Sequence, residues 1–200
     1  MFKSMVKDIS GTADICSVAT KLEKLQGAAY LLPREEILFA FASAKEEFVF
    51  TNEALITVRG ENATTTRKLV ARYEFREHQL SHVQFETTGR VDRDCEIKFQ
   101  IGDEVISIDI ERKEEELVKA HYKALVALAR EQHDRRRAWD NAKRGLDKAA
   151  DALKLKDASD DAASLTAQAS STLKWLEDDF ERLCSRNYRN AIVPALPRRK

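Results

Sequence analysis

The feature that most constrains the fold of this 200-residue chain is a change of hydrophobic period at Arg112. Between Glu36 and Ile110, apolar side chains recur at every second position, which is typical of β-strands. After Arg112 they recur at steps of three and four, which is the period of an amphipathic helix. The chain therefore divides into a strand-rich front and a helical rear, and the predicted fold class is α+β.

Seven short strand-like segments fill the front part of the chain, and short polar stretches separate them. Asn52–Glu53 reads as a tight two-residue turn, and Gly102–Asp103 is a strong hairpin signal. Because consecutive strands with short connections usually pair with their neighbours, we expect antiparallel sheets. The seven segments are EEILFAFASA, EEFVFTN, ALITVRG, LVARYEF, QLSHVQFET, DCEIKFQI and EVISIDIE.

Helices are expected on both sides of these strands. Ile15, Val18, Leu22 and Leu25 follow one another at steps of three and four, which predicts a short N-terminal helix. After Arg112, the segment KEEELVKAHYKALVALAREQ carries an apolar face wide enough to pack onto a sheet.

The last third of the chain predicts an antiparallel helical hairpin, because two apolar seams at helical spacing flank the polar segment LKDASDD. Much of the first seam is Ala, so two such helices alone would bury little apolar area. The hairpin therefore needs another surface, either its own sheet domain or a second copy of the chain. The candidate interface residues are Trp139, Leu146, Leu153, Leu165, Leu176, Phe180 and Leu183.

The charge of the chain is balanced in total but not along its length. Lys plus Arg and Asp plus Glu are 34 each, which argues against a dedicated nucleic-acid binder. Residues 1–110 nevertheless carry 14 basic and 18 acidic side chains, and residues 111–200 carry 20 and 16. The two halves thus differ in sign, at −4 and +4. A candidate anion patch in the basic half consists of Arg135, Arg136, Arg137 and Arg144.

Other residue types predict neither catalysis nor a cofactor. The three cysteines are far apart in the sequence, and the four histidines have no Cys or carboxylate pattern that completes a zinc site. There is no Gly-rich phosphate loop and no nucleophile elbow. Charged residues interrupt the first 25 positions, so no signal peptide is expected and the predicted location is the cytoplasm.

Two motifs in the front part resemble those of the bacterial pleckstrin-homology-like (PH-like) family, which is also found in plants. The first is EFVFTNEALITV, in which Phe50, Thr51 and Asn52 lie between two strands. The second is VQFETTGRVDRDCEIKFQI, in which the matching residues are Glu86, Thr87, Gly89, Asp92 and Asp94.

This resemblance implies two near-orthogonal antiparallel sheets of seven strands, with an N-terminal helix and a C-terminal helix that closes one end. On that basis the expected divisions are 1–33 as a lead-in with a helix, 34–131 as the PH-like domain, 132–190 as the helical hairpin and 191–200 as a flexible basic tail. The hairpin is similar to the oligomerisation extension that some members carry.

The resemblance implies a non-enzymatic interaction or assembly module. Such a module is expected to form a homo-oligomer, which is a ring in some family members, and other proteins are possible partners. Specific phosphoinositide binding is not expected, because the first hairpin turn offers Lys45 beside Glu46 and Glu47. The next candidate for a cationic group that could bind a phosphorylated headgroup consists of Arg59, Arg67, Lys68 and Arg72. The alternative function is a peripheral membrane adaptor that binds anionic lipid through the basic C-terminal half.

Overall fold

The computed structural model describes residues 14–60, 67–87, 94–154 and 162–197. These residues divide into two compact units. The sheet unit contains the described residues up to Glu131 together with those from Arg186 onward, and the helix unit is Gln132–Ser185.

The larger sheet of the sheet unit has five antiparallel strands in the order β1 to β5. Its central strands are apolar on both faces, and Val49 and Phe50 of β3 lie opposite Ile56 and Leu55 of β4. The turn at Asn52–Glu53 joins these two strands. The strands are β1 (Ser17–Val18), β2 (Ile37–Ala42), β3 (Glu46–Thr51), β4 (Ala54–Gly60) and β5 (Lys68–Glu74).

The smaller sheet has three antiparallel strands: β6 (Leu80–Glu86), β7 (Asp94–Ile101) and β8 (Glu104–Glu111). Gly102 allows the tight turn between β7 and β8, because its φ of +57° suits glycine and a Cβ would lie 2.9 Å from the His78 ring. Alternation along β7 and β8 directs one face of each strand into the core and the other face outward.

The core of the sheet unit lies between the two sheets and is rich in aromatic residues. Phe39 and Phe50 stack with ring centroids 4.4 Å apart, and Phe41 meets Phe50 edge to face at 6.3 Å. Isoleucines of β7 and β8 complete the core from the other sheet. The core therefore draws side chains from both sheets.

Helix α1 (Glu115–Lys154) follows a short 3₁₀ turn at Arg112–Glu114. Within the sheet unit, its apolar face is buried in the core through Val118, His121, Ala124, Leu125 and Leu128. The predicted packing of an apolar face of this helix onto a sheet is therefore confirmed. Leu117, in the same segment, remains 38% exposed.

The helix unit contains the rest of α1 and helix α2 (Ala162–Leu183). Arg135 donates to the Ser185 carbonyl and Trp139 contacts Phe180, so sequence numbers rise on α1 as they fall on α2. The two helices therefore run in opposite directions.

The prediction of an N-terminal helix at Ile15–Leu25 is wrong. Ser17 and Val18 instead pair with Ala42 and Phe41 of β2, and two 3₁₀ turns follow at Leu22–Lys24 and Gln26–Tyr30. The physical reason is that sheet edges and side chains satisfy the backbone groups of this segment. The structure accordingly has eight strands in its described part, one more than predicted.

Cys16 shows how the same segment links the two sheets. Its N–H donates to the Asp109 carbonyl at 2.7 Å, and its own carbonyl accepts from the Glu111 N–H at 2.9 Å. Because the next residue, Ser17, pairs with β2, one short extended segment bonds to an edge of each sheet.

Residues 191–197, which the sequence predicts to be flexible, lie against the core instead. Helix α3 (Arg189–Ile192) and a 3₁₀ turn at Val193–Ala195 return the chain to the sheet unit. Ile192 is 1% exposed, and Ala195 and Leu196 pack beside it on the core. Residues 198–200 lie outside the described residues.

Candidate interaction surfaces

The Phe50–Thr51–Asn52 motif forms a buried turn. Thr51 is fully buried; its hydroxyl donates to the Glu35 carboxylate at 2.5 Å and accepts from the Ala54 N–H at 2.8 Å. Phe50 fills the core behind the turn. These three motif residues therefore maintain the fold and are not exposed for binding.

Asn52 connects the turn to two distant parts of the chain. Its Oδ1 accepts from the Glu36 N–H at 2.8 Å, and its backbone N–H donates to the Glu36 carbonyl at 3.1 Å. Its own carbonyl accepts from the Tyr188 N–H at 2.7 Å. One asparagine thereby joins the start of β2, the β3–β4 turn and the C-terminal segment.

A buried ionic cluster centres on Glu35, whose side chain is fully buried. Its carboxylate accepts from the Leu32 N–H at 2.8 Å and from Arg72 Nη1 at 3.0 and 3.1 Å. Arg72 Nε also donates to Glu74 at 2.7 Å. Partial burial opposes the charge on Arg72, but hydrogen bonds to Glu35 and Glu74 raise its pKa overall. Arg72 is therefore held by ion pairs that stabilise the fold.

Sequence reasoning missed this cluster. It placed Arg72 in a cationic group with Arg59 and did not single out Glu35. Glu35 and Arg72 are 37 positions apart, and only the pairing of β4 with β5 brings Arg72 to the Thr51 turn. The available signal was a carboxylate immediately before an apolar strand, which is common at strand ends.

The cations at the first hairpin turn and on the neighbouring strand β4 are paired with carboxylates. Lys45 Nζ lies 3.0 Å from Asp14, and Arg59 Nε lies 3.8 Å from Glu46. The Arg59 guanidinium also sits 5.4 Å from the centre of the Phe48 ring. Convergent cations are what a multiply phosphorylated headgroup requires, and these side chains are already matched with acids.

The second family motif lies at the ends of two strands. Glu86 ends β6 and is exposed, as is Thr87, and Asp94 begins β7 opposite Glu111. Gly89 and Asp92 lie outside the described residues.

The histidine of α1 is a core residue. His121 is 3% exposed, and its ring lies 5.0 Å from that of Phe39 and 5.3 Å from that of Phe41. Its Nδ1–H donates to the Leu117 carbonyl at 3.0 Å. Burial lowers the pKa of His121, although this hydrogen bond opposes the shift. The imidazole is therefore held in its neutral form.

The cysteines have the environment of structural thiols. Cys16, Cys95 and Cys184 are all buried. Burial raises the pKa of Cys95 to about 11 and raises that of Cys16 further. A nucleophilic cysteine needs the opposite shift. Over residues 14–60, 67–87, 94–154 and 162–197, no group of three His, Cys, Asp or Glu side chains is placed to hold a metal ion.

The helix unit has an open apolar pocket of about 440 Å³ between its two helices. Trp139 and Phe180 form one wall, with ring centroids 5.1 Å apart, while Trp175 is 44% exposed. Trp139 of α1 thus meets Phe180 of α2. The lining residues are Trp139, Lys143, Leu146, Asp147, Leu176, Glu177 and Phe180.

Four of the seven predicted interface residues therefore surround one pocket. Leu183 is partly exposed near the end of α2. The side chains of Leu153 and Leu165 lie outside the described residues. Among the described side chains from Asp134 to Leu183, none is buried.

The candidate anion patch is divided among different contacts. Arg135 donates to the Ser185 carbonyl at 2.5 Å, and Arg137 pairs with Asp134 at 3.3 Å. Arg136 and Arg144 are exposed. Asp140 lies in the same stretch; its hydrogen bond with Lys143, at 2.9 Å, lowers its pKa. Acidic residues thus interrupt the positive charge.

The sheet unit also contains a groove of about 1010 Å³ that sequence reasoning missed. Apolar residues from β1, β2, α1 and the C-terminal segment line it, including Val18, Phe39, Leu117, Val193 and Leu196. At its edge, Glu36 pairs with Arg189 at 2.6 Å. Because its walls come from four separated segments, no local pattern in the sequence indicates it.

Comparison with known proteins decides the family. Residues 5–129 match the sequence profile described as bacterial PH domain. The chain belongs to this family. The bacterial PH domain match ends within α1, so the helix unit lies beyond it.

Two relatives extend the bacterial PH domain comparison. The uncharacterized protein YvbH of Bacillus subtilis (strain 168) is 35% identical over 153 residues, which cover 74% of this chain and 75% of that protein. The crystal structure of a PH domain containing bacterial protein from Exiguobacterium sibiricum 255-15 matches with a TM-score of 0.82 and 28% identity. That match covers 92% of this chain and all of the other. The comparisons therefore support the PH-like fold.

Within the described ranges, no helix combines the length and apolar character that crossing a bilayer requires.

Proposed function

We propose that this bacterial PH domain protein is a non-enzymatic interaction module that self-associates through its helix unit. The observation that carries the proposal is the exposure of the helix unit. From Asp134 to Leu183, none of the described side chains is buried, although the facing helices carry Trp139, Leu146, Leu176 and Phe180. Helices in proteins gain most of their stability from packing of an apolar face, and here that face is incompletely covered.

The residues around the pocket suit an interface core. Trp139 and Phe180 present aromatic surface, and aromatic side chains concentrate binding energy at the centres of interfaces. Leu146 and Leu176 continue the apolar area from each helix. A partner that inserts an apolar side chain here would bury all four residues together.

The charges at the pocket edge favour a second copy of the chain as the partner. Lys143 is basic, while Asp147 and Glu177 are acidic, and all three line the same pocket. In a two-fold contact the same surface meets itself, so Lys143 of one copy can approach an acid of the other. A surface of one sign would repel its own copy.

The buried chemistry of the sheet unit supports a non-enzymatic role. His121 is neutral in the core, Cys16 and Cys95 are buried with raised pKa values, and the Glu35–Arg72 pair stabilises a turn. Each of these groups has a structural partner or an apolar environment.

The test is the mass of the chain in solution. Leu176→Asp places a charge in the pocket, and we expect this variant to sediment as a monomer at concentrations where the unmodified chain is larger. The full chain should be used, because cutting at Glu131 would remove Tyr188 and Ile192 from the core of the sheet unit. Sedimentation equilibrium across a dilution series provides the measurement.

The matched control is Ser171→Asp, which adds the same charge at an exposed position of the same helix. This control should retain the mass of the unmodified chain, and circular dichroism should show equal helix content in both variants. A strictly monomeric unmodified chain at micromolar concentration would contradict the proposal, as would equal loss of mass in both variants.

A peripheral membrane adaptor is the second candidate, and the exposure of Arg136 and Arg144 on α1 supports it. Each cation near an anionic surface contributes about 1 kcal/mol. If this function holds, the chain should float with vesicles that contain phosphatidylserine, and Arg136→Glu with Arg144→Glu should abolish flotation. Flotation that is unchanged by the double variant would count against it.

A further inference from the structure

The groove of the sheet unit has a buried polar side chain among its apolar walls. Its volume of about 1010 Å³ lies at the upper end of the range for small-ligand pockets, roughly 300–1,000 Å³. Aliphatic side chains such as Val18, Leu38 and Val193 line it. His121 lines the same groove, although only 3% of its surface is exposed. Aliphatic walls with a buried hydrogen-bonding group are the usual composition of a small-ligand site.

The hydrogen bonding of His121 leaves one ring nitrogen for a ligand. Nδ1 lies 3.0 Å from the Leu117 carbonyl oxygen, and because a carbonyl only accepts, Nδ1 carries the proton. Burial lowers the pKa of the imidazole and keeps it neutral, so Nε2 has a free lone pair. Among the described residues, none donates a hydrogen bond to Nε2. A buried acceptor of this kind is stabilised when a bound molecule donates to it.

The charges that line the groove balance each other. Glu36 and Arg189 both line it, and their side chains pair at 2.6 Å. Of the described lining residues, these two alone carry a full charge. A carboxylate or an ammonium headgroup would have to compete with this ion pair, whereas an uncharged hydroxyl would not. The charge of the groove therefore favours a neutral ligand.

We propose that the groove binds a single-chain aliphatic alcohol, whose hydroxyl donates to Nε2 of His121 while its chain lies against the aliphatic walls. A flexible chain suits walls that come from four separated segments, because it can bend to follow them. This inference is independent of self-association, since every described residue that lines the groove belongs to the sheet unit.

The chain of the ligand supplies affinity, and its hydroxyl supplies selectivity. Leu117 and Val193 remain 38% and 36% exposed on the groove walls, so a bound chain would remove apolar surface from water on both sides. Each methylene group that becomes fully buried should tighten binding about fourfold. A molecule of the same shape without a donor would leave Nε2 unpaired and would therefore bind more weakly.

Calorimetric titration of the full chain with two matched probes tests the proposal. The probes are 1-decanol and nonyl methyl ether, which have equal numbers of heavy atoms, but only the alcohol can donate a hydrogen bond. We expect the unmodified chain to bind the alcohol about fivefold more tightly than the ether. Equal affinity for the two probes would overturn the proposal, and so would no binding of the alcohol up to its solubility limit.

His121→Phe tests the assignment of the acceptor. This variant keeps an aromatic ring beside Phe39 but removes Nε2, so it should bind the alcohol and the ether equally. The matched control is His133→Phe, at an exposed position of the helix unit, which should keep the fivefold preference. A preference that persists in His121→Phe would contradict the proposal.

A second pair of variants tests the groove without changing the core. Leu117→Asp places a charge on the groove wall and should weaken binding of 1-decanol at least tenfold. Val105→Asp should leave the affinity unchanged, because Val105 is 67% exposed and is not among the described lining residues. Circular dichroism should show that both variants remain folded. Equal affinities in these two variants would place the alcohol outside the groove and overturn the proposal.

Discussion

The sheet unit and the helix unit carry similar kinds of apolar residues but differ in what covers them. In the sheet unit, Phe39 and Phe50 stack at 4.4 Å within a core that two sheets and α1 close. In the helix unit, Trp139 and Phe180 are as near to one another as many core pairs, yet both remain partly exposed. Aromatic contact alone therefore does not make a core, because a second layer must exclude water.

The largest expected effect is a difference between the two units in the free energy of unfolding that is lost when an apolar side chain is truncated. Phe50→Ala should reduce the free energy of unfolding by about 3–5 kcal/mol, since it leaves a cavity in a fully buried cluster. Leu146→Ala should cost about 1 kcal/mol or less in the monomer, because that side chain is partly exposed. Urea titrations followed by circular dichroism measure both values.

The same pair of variants should give the opposite order in an assembly measurement. Leu146→Ala should weaken self-association, while any Phe50→Ala protein that remains folded should keep it. An equal loss of stability in the two variants at monomeric concentrations would show that the helix unit has a core of its own.

The next largest effect concerns the ionic cluster of the sheet unit. Glu35→Gln retains an acceptor for Thr51 but removes the charge that faces Arg72. We expect a loss of about 2 kcal/mol, below the 3–5 kcal/mol of a fully buried pair, because Arg72 is partly exposed and keeps Glu74.

Asp140→Asn is the matched control for that charge removal, since it breaks an exposed ion pair in the helix unit. It should leave the denaturation midpoint unchanged. A comparable shift in both variants would remove the distinction between structural and solvated ion pairs.

The smallest effect is a pH dependence. Because burial lowers the pKa of His121 below its usual 6.5, the unfolded chain binds its proton first as the pH falls. Stability should therefore be complete above about pH 6.5 and decrease below it, by at most about 1.4 kcal/mol per pH unit.

His121→Phe should remove this part of the slope, whereas His133→Gln, at an exposed position of the helix unit, should not. Denaturation midpoints between pH 7 and 5 provide the measurement. An unchanged slope in His121→Phe would mean that the histidine is not held neutral in the fold.

The strands were predictable because short apolar runs and alternation are both local properties of the sequence. Each of the seven predicted segments corresponds to one strand from β2 to β8, and α1 begins where the period changes. The structure of the N-terminal segment was not predictable in the same way. Its spacing is helical, but the hydrogen bonds of Cys16 with Asp109 and Glu111 come from residues more than 90 positions away.

The sites were less predictable than the strands. Asn52–Glu53 was recognised as a turn, but Glu35 and Tyr188, which bond to Thr51 and Asn52, are distant in sequence. The residues predicted for the hairpin surface share a helical period, so Trp139, Leu146, Leu176 and Phe180 could be grouped in advance. The groove could not, since its walls combine four segments with no common period.

The hydrogen bond from Tyr188 to Asn52 has a consequence for how the chain is made. Residues that complete the sheet unit are synthesised after the whole helix unit, so the helix unit is an insertion within the sheet unit's own sequence. At about 5–20 residues per second, a ribosome would deliver Tyr188 several seconds after the last strand. During that interval the nascent sheets would lack the cover that Tyr188 and Ile192 provide.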